Sequence, residues 1–186
     1  MKKNKTSLKD VYILKSKISI DLRGYFQETS KEAELSKLLP TIKFIQDNES
    51  YSHKNVLRGL HLQLPPFEQS KLVRVSYGEI LDVIVDLRKE SPTFLKWEGF
   101  KLNNKNHDQL FVPKGFAHGF IVLSDIAIVN YKVDNLYNKE SEAGVHFADN
   151  DLNIDWHSPS NKIITSQKDK NLPSIQTLLD KLNDEN

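Results

Sequence analysis

The segment that most constrains the fold is Arg58–Gln63, where an imidazole interrupts an alternating apolar pattern. Strand alternation places one set of side chains on a common face, namely Leu57, Gly59, His61 and Gln63. The next strand repeats the pattern with an ammonium, because Lys71 falls on the same face as Val73 and Val75. A small barrel either fills its interior with apolar side chains or encloses one small ligand. We therefore expect a base and a cation to share an internal cavity.

The length and composition favour a single domain without covalent staples. The 186 residues contain no cysteine, which excludes disulfides and thiolate metal sites. The net charge of +1 gives no field that would attract nucleic acid, and no apolar run is long enough to cross a bilayer. We expect one cytoplasmic domain over residues 1–186, with a polar leader at 1–10 and a helix at 172–184.

Most of the remaining pattern predicts β-strands. Val11–Lys15 and Gly24–Thr29 are interpreted as strands, and Lys31–Leu39 as a short helix. Leu81, Val83, Val85 and Leu87 alternate with Ile80, Asp82, Ile84 and Asp86, which is typical of a half-buried sheet. Further strands are predicted at 41–47, 55–63, 71–77, 79–88, 94–102, 108–112, 117–123 and 126–134. The predicted fold is mainly β, a cupin-type jelly-roll barrel with short helices.

Two histidines and a carboxylate raise the alternative of a metal site. His118 lies in the segment Pro113–Gly119, a turn-to-strand element common in cupin barrels. His61, Glu68 and His118 have the residue types of a two-histidine, one-carboxylate triad, which would suit a metal-dependent cupin oxygenase. His61 is also compatible with an ordinary core position hydrogen-bonded to a backbone carbonyl, and the element that holds His118 supports the fold more than the function.

Several short motifs follow one another along the chain. They are Asp21–Glu28, Gln46–Asn48, Arg58–Gln63, Lys71–Val75, Ser91–Phe94, Pro113–Phe120, Tyr131–Lys132 and Leu152–Trp156. In their order and spacing, from about residue 20 to residue 170, these motifs resemble the dTDP-4-dehydrorhamnose 3,5-epimerase family of nucleotide-sugar enzymes.

The resemblance implies epimerisation next to a ketone, without a cofactor or a metal. A 4-keto group acidifies the hydrogens at C3 and C5, and the reaction needs a base, an acid on the opposite face and a cation at the oxygen. By resemblance His61 is the base and Asp169 orients it, while Tyr131 is the acid. Lys71 would stabilise the enolate oxygen, with His118 nearby.

The same resemblance implies the residues that bind the nucleotide sugar. They are Arg23, Phe26, Glu28, Gln46, Asn48, Arg58, His118, Tyr137, Glu142 and Lys168, with Tyr137 stacking on the base. Strict alternation would place Arg58 and His61 on opposite faces, so we expect either a bulge at Gly59 or a rim position for Arg58. Ser70, Ala143 and His146 depart from residues frequent in the family.

The leading hypothesis is therefore an isomerase that acts on dTDP-4-dehydro-6-deoxyglucose in the synthesis of a rhamnose-type surface sugar, as in lipopolysaccharide or capsule. An enzyme that inverts only C3 or C5, on a GDP-linked sugar, uses the same mechanism and stays open. A non-catalytic sugar-binding module is the remaining alternative. The resemblance also implies a homodimer, in which the leader and early strands could cover an edge of the neighbouring barrel.

Overall fold

The computed structural model describes residues 1–184. Its sheets have the order β1-β2-β10-β7-β12-β5 and β13-β6-β11-β8-β9, with β3-β4 as a separate hairpin. The strands are β1 (Lys2–Lys5), β2 (Tyr12–Lys15), β3 (Ile18–Asp21), β4 (Gly24–Gln27), β5 (Gln46–His53), β6 (Leu57–Gln63), β7 (Lys71–Tyr77), β8 (Glu79–Asp86), β9 (Trp97–Asn103), β10 (Asp108–Val112), β11 (Phe116–Val122), β12 (Ile126–Val133) and β13 (Glu142–Gly144). The helices are α1 (Glu32–Leu38), α2 (Gln167–Lys170) and α3 (Ile175–Asp184), with a 3-10 turn at Ser160–Lys162.

The interior core lies between the two larger sheets. It includes Val73 and Val75 of β7, Ile80 and Ile84 of β8, and Val129 of β12, all with less than a few per cent of their surface exposed. These are the inward residues of alternating strands, so the pattern that predicted the barrel also fills it. The prediction of a mainly β, cupin-type fold is confirmed.

The outer face of the second sheet is also buried, which the half-buried interpretation of β8 did not foresee. Leu81, Val83 and Val85 pack beneath Trp156 and Ile175, from the chain that follows β13. Burying such apolar side chains contributes roughly 1.5–3 kcal/mol each. The carboxyl-terminal segment therefore converts a two-layer barrel into a barrel with a third, partial layer.

Several element boundaries differ from the sequence prediction. The strand predicted at 41–47 is wrong, since regular pairing begins only with β5 at Gln46 and continues to His53. Strands β1, β3 and β13 were missed because they are short and polar or contain glycine. The polar leader thus holds a strand, and the terminal helix begins at Ile175, not at residue 172.

Strand β6 carries a bulge at Gly59, which settles the position of Arg58. His61 pairs with His118 and Arg58 pairs with Phe120, so β6 has one residue more than β11 between these pairs. Leu57 consequently packs in the outer cluster together with Leu60 and Leu62. Gly59 has φ +127, and a Cβ there would lie 2.5 Å from Cα of Gly119. Only glycine fits this left-handed, crowded position.

The hairpin β3–β4 has an apolar surface that the other residues of the described range 1–184 leave exposed. Ile20, Leu22, Tyr25 and Phe26 are 81%, 108%, 57% and 70% exposed. Tyr25 contacts the ring of His107 edge to face. The longest helix of residues 1–184, α3, has ten residues, too few to span a bilayer.

Candidate active site

A cavity of about 540 Å³ opens beside the interior core, and its polar side chains come from the inward faces of the strands. Three of these side chains each lie two residues from an interior core residue, and therefore on the same strand face as that residue. The pairs are Lys71 with Val73 on β7, His118 with Phe116 on β11, and Tyr131 with Val129 on β12. The chain after the barrel closes one side. The lining residues are Ser50, Val56, Leu57, Arg58, His61, Lys71, His118, Phe120, Val129, Tyr131, Ile164, Thr165, Ser166, Lys168 and Asp169.

His61 is paired with a buried carboxylate. Nε2 of His61 lies 2.8 Å from Oδ1 of Asp169, and Gly59 N donates to the other carboxylate oxygen over 3.3 Å. Asp169 is held in α2, whose N-cap Ser166 accepts from the Asp169 backbone N–H. With Nε2 donating to the carboxylate, the neutral imidazole keeps a lone pair on Nδ1. The arrangement can accept a proton and stabilise the resulting imidazolium.

Burial and the mutual interaction of His61 and Asp169 have opposing effects on the pKa values of the two residues. Burial lowers the pKa of His61 below its ordinary value, and Asp169 opposes this only in part. Burial acts to raise the pKa of Asp169, but the charge and hydrogen bond of His61 outweigh it and the net pKa is lowered. His61 is therefore neutral, and competent as a base, at neutral pH.

A second histidine–aspartate pair lies directly beside the first, because His118 on β11 is the register partner of His61 on β6. Nε2 of His118 is 3.0 Å from both oxygens of Asp82, a carboxylate with no exposed surface. Nδ1 of the same ring is 3.4 Å from Nζ of Lys71. Burial lowers the pKa of Lys71 to about 8, although the charges of Asp82 and Glu142 act to raise it.

Tyr131 lines the same cavity as His61 and has the properties of a proton donor. Burial raises the pKa of Tyr131, with a partial offset from the guanidinium of Arg58. The phenol thus stays protonated at neutral pH. Arg58 itself is held by Ser52, whose Oγ accepts from Nε over 3.1 Å.

Tyr137, Glu142 and Lys168 form a chain on the exposed side of the cavity. The Tyr137 hydroxyl donates to Glu142 over 2.9 Å, and Lys168 Nζ donates to the other carboxylate oxygen over 2.5 Å. Burial acts against ionisation of Glu142, but Lys168 and Tyr137 outweigh it and its pKa is lowered. The ring of Tyr137 is 57% exposed, so a flat partner has access to it.

The remaining predicted binding residues lie outside this cavity in the single chain. Gln46 donates to Asn48 over 2.8 Å, and Asn48 is the register partner of Tyr131 on β5. Arg23 and Phe26 lie on the exposed hairpin, where Arg23 pairs with Asp21, and Glu28 follows the hairpin and faces Lys31. The structure therefore does not bring Arg23, Phe26 and Glu28 to the cavity of their own chain.

The triad predicted for the metal alternative is not assembled. Glu68 is not among the residues that line the cavity, and His61 and His118 are each bonded to an aspartate. Within residues 1–184, no three histidine, aspartate or glutamate side chains converge as ligands.

Sequence reasoning missed Asp82 as a residue of this site. Alternation placed it on one strand face with Ile80 and Ile84, and the structure turns that face inward. A carboxylate in such a place requires a partner, and that requirement is the signal that could have found it.

The comparison with family models decides the classification. Residues 5–177 match the model described as dTDP-4-dehydrorhamnose 3,5-epimerase. The chain belongs to the dTDP-4-dehydrorhamnose 3,5-epimerase family. The resemblance inferred from the motifs is thereby confirmed.

Known members of the epimerase family match over nearly their whole length. The enzyme of Methanothermobacter thermautotrophicus is 48% identical over 90% of this chain and 90% of its own. The crystal structure of the Elizabethkingia anophelis epimerase is 49% identical, with a TM-score of 0.91 over 95% of this chain and 97% of that one. The Legionella pneumophila epimerase, solved with dTDP-4-keto-L-rhamnose, is 41% identical, with a TM-score of 0.92 over 97% and 96% of the two chains.

Proposed function

We propose that this protein is a dTDP-4-dehydrorhamnose 3,5-epimerase, which inverts C3 and C5 of dTDP-4-dehydro-6-deoxyglucose. The observation that supports it most is the meeting of His61, Tyr131 and Lys71 in one cavity, with His61 bonded to Asp169. Base, acid and cation are the three groups that the reaction needs. The family membership supplies the substrate class.

In the proposed mechanism, His61 removes the proton next to the ketone. The electron pair of the broken C–H bond forms the C=C bond of an enolate, and negative charge develops on the ketone oxygen. Asp169 stabilises the imidazolium, and the Lys71 ammonium donates a hydrogen bond to the enolate oxygen. Tyr131 then gives its proton to the opposite face of the carbon, and exchange with solvent restores both residues. Repetition at the second carbon completes the reaction.

The proposed nucleotide subsite uses the groups at the exposed side of the cavity. Arg58 and Lys168 supply positive charge for the pyrophosphate, since guanidinium and ammonium groups bind phosphate oxygens well. Tyr137, fixed by its bond to Glu142, offers a ring on which a base can stack. Gln46 and Asn48 are proposed to bind the same ligand.

The protein is proposed to act as a homodimer in which the hairpin of one subunit completes the cavity of the other. The hairpin carries Arg23 and Phe26, and its apolar side chains are uncovered in the single chain. A second copy of the barrel is the occupant implied by family membership, and it would bury this surface.

Mixing two inactive variants tests the proposed dimer. His61→Asn keeps the hairpin, and Arg23→Ala keeps the cavity. If hairpins act across the interface, random mixed dimers regain about a quarter of the wild-type activity, because half of the dimers hold one complete site. No recovery above the sum of the separate variants, or a monomer by light scattering, would contradict the proposal.

The function itself is tested by isotope exchange. Incubation with dTDP-4-dehydro-6-deoxyglucose in deuterated water, followed by NMR, should show deuterium at both C3 and C5. Deuterium at one carbon alone would indicate the single-epimerase alternative. Tight binding without any exchange would indicate the sugar-binding module and would overturn the proposal.

A further inference from the structure

The carboxylate of Asp82 has no part in the mechanism above, yet it is fully buried behind the cavity. It lies on the inward face of β8, where Ile80 and Ile84 fill equivalent positions with apolar side chains. Both of its oxygens are 3.0 Å from Nε2 of His118. Burying a carboxylate is costly, and an apolar residue often serves packing better. Packing of β8 therefore gives no reason for an aspartate here.

Hydrogen-bond chemistry fixes the protons along the chain of Asp82, His118 and Lys71. The carboxylate accepts, so Nε2 of His118 carries a proton. Nδ1 of the neutral ring then holds a lone pair, which accepts from the Lys71 ammonium 3.4 Å away. Placing the proton on Nδ1 instead would leave Nε2 and the carboxylate as two acceptors and set a ring N–H against the ammonium. The order is carboxylate, neutral imidazole, ammonium.

This order leaves His118 without a proton for the substrate. Both of its nitrogens are engaged, one with Asp82 and one with Lys71. Lys71 gives one of its three N–H groups to His118 and keeps two for the ketone oxygen. His118 thus holds the lysine in place and does not itself contact the enolate oxygen through a ring nitrogen.

We propose that Asp82 is a positioning residue, which acts through His118 to hold the Lys71 ammonium against the ketone oxygen of the substrate. This inference depends on the proposed function, because it assumes that Lys71 stabilises the enolate. It assigns a role to a buried group that touches neither the substrate nor the lysine directly.

The charges around Lys71 give the inference a measurable signature. The charged and titratable groups around the lysine are Asp82 of β8 and Glu142 of β13, whose charges act on it, and His118 of β11, together with the cavity residues Arg58, His61, Tyr131, Lys168 and Asp169. Burial lowers the pKa of Lys71 to about 8, and Asp82 and Glu142 oppose that fall. Removing the Asp82 charge should lower the pKa of Lys71 further.

The test compares Asp82→Asn with Asp86→Asn, a matched control on the same strand. Asp86 is also fully buried, but it is bonded to Arg88, Ser91 and Thr93 and does not line the cavity. For Asp82→Asn we expect the alkaline limb of the kcat profile, near pH 8 in the wild type, to move down by about one unit. At pH 8 kcat should fall about fivefold while KM stays within about twofold. The control should leave the limb in place.

The inference is wrong if the alkaline limb of the kcat profile is unchanged in Asp82→Asn, or if it moves equally in Asp86→Asn. If Asp82→Asn does not fold, the tautomer of His118 in the wild type is the deciding measurement. Nitrogen-15 NMR should show the proton on Nε2, and a proton on Nδ1 alone would overturn the proposed chain. If the wild-type protein exchanges no ring hydrogens of the sugar, the proposed function is wrong. That result differs from an unchanged alkaline limb and from a proton on Nδ1, which contradict only the role of Asp82.

Discussion

Two histidine–aspartate pairs lie side by side in this barrel, and their difference underlies the division of roles that we propose for the site. The two histidines are register partners on neighbouring strands, and His61 is bonded to Asp169 of α2 whereas His118 is bonded to Asp82 of β8. The side chain of His61 is 30% exposed and that of His118 is 9% exposed. His61 uses one ring nitrogen and has the other available, whereas His118 uses both. In the proposed mechanism the same pair of residue types therefore serves as a base in one place and as a support in the other.

The comparison teaches that the chemistry of a histidine depends on what its second nitrogen meets. For His61 that nitrogen is available to a substrate in the cavity. For His118 it meets an ammonium, which excludes a role as proton acceptor. Residue type and strand position alone would have treated the two residues alike.

Among the substitutions that test this comparison, Asp169→Asn is expected to cause the largest loss of activity. The amide can hold the ring but favours the wrong tautomer and cannot stabilise an imidazolium, so kcat should fall by roughly 10³-fold to 10⁴-fold. Steady-state kinetics with a coupled reduction of the product would measure it. A loss below about tenfold would show that Asp169 is not the partner on which the base depends.

Tyr131→Phe should have the next largest effect and separates the base from the acid. Proton removal by His61 remains possible, while protonation from the opposite face loses its donor, so product formation should fall by about 10²-fold to 10³-fold. Deuterium from the solvent should still enter the sugar ring, with the configuration of the carbon unchanged. Equal losses of exchange and of product would contradict separate roles for the two residues.

Gly59→Ala tests the close approach of the two strands that carry the histidines. A Cβ would meet Cα of Gly119 at 2.5 Å, in a left-handed conformation that alanine tolerates poorly. We expect a loss of about 1–3 kcal/mol in the free energy of unfolding, together with reduced kcat. Thermal unfolding and kinetics would check both. Gly24→Ala on the exposed hairpin, also at positive φ but without neighbours within 4 Å, is the matched control. Equal destabilisation by the two changes would argue against the crowding of β6 and β11.

The smallest expected effect is the position of the acid limb in the pH profile of kcat/KM. His61 must be neutral to act as a base, and burial lowers its pKa below the ordinary value of 6.5. Activity should therefore persist to a lower pH than for an ordinary histidine, and fall as His61 becomes protonated. An acid limb above pH 6.5 would contradict the assignment.

Strand alternation predicted much of this site before any coordinates. It placed Lys71 with Val73 and Val75, and the structure confirms that face. It failed at β6, because the bulge at Gly59 shifts Arg58 inward. A bulge at Gly59 was one of the two arrangements expected from the sequence, but the contact that accompanies it, Gly59 against Gly119, joins two strands and one strand's pattern does not show it.

The remaining surprises concern contacts between distant parts of the chain. Nothing in β8 alone shows that Trp156 and Ile175 will cover its outer face. Likewise, the spacing of Asp82 and His118 along the sequence gives no sign that they meet, since register between β8 and β11 brings them together. Their pairing required the three-dimensional arrangement.

The most direct test of the central claim compares deuterium exchange in His61→Asn and His118→Asn, with the same keto sugar in deuterated water. Asparagine cannot accept the proton, so His61→Asn should show no exchange at C3 or C5, at least 10³-fold below the wild type by an order-of-magnitude estimate. His118→Asn should still exchange, more slowly, because the base is intact. Normal exchange in His61→Asn, or an equal and complete loss in both variants, would contradict the division of work between the two pairs.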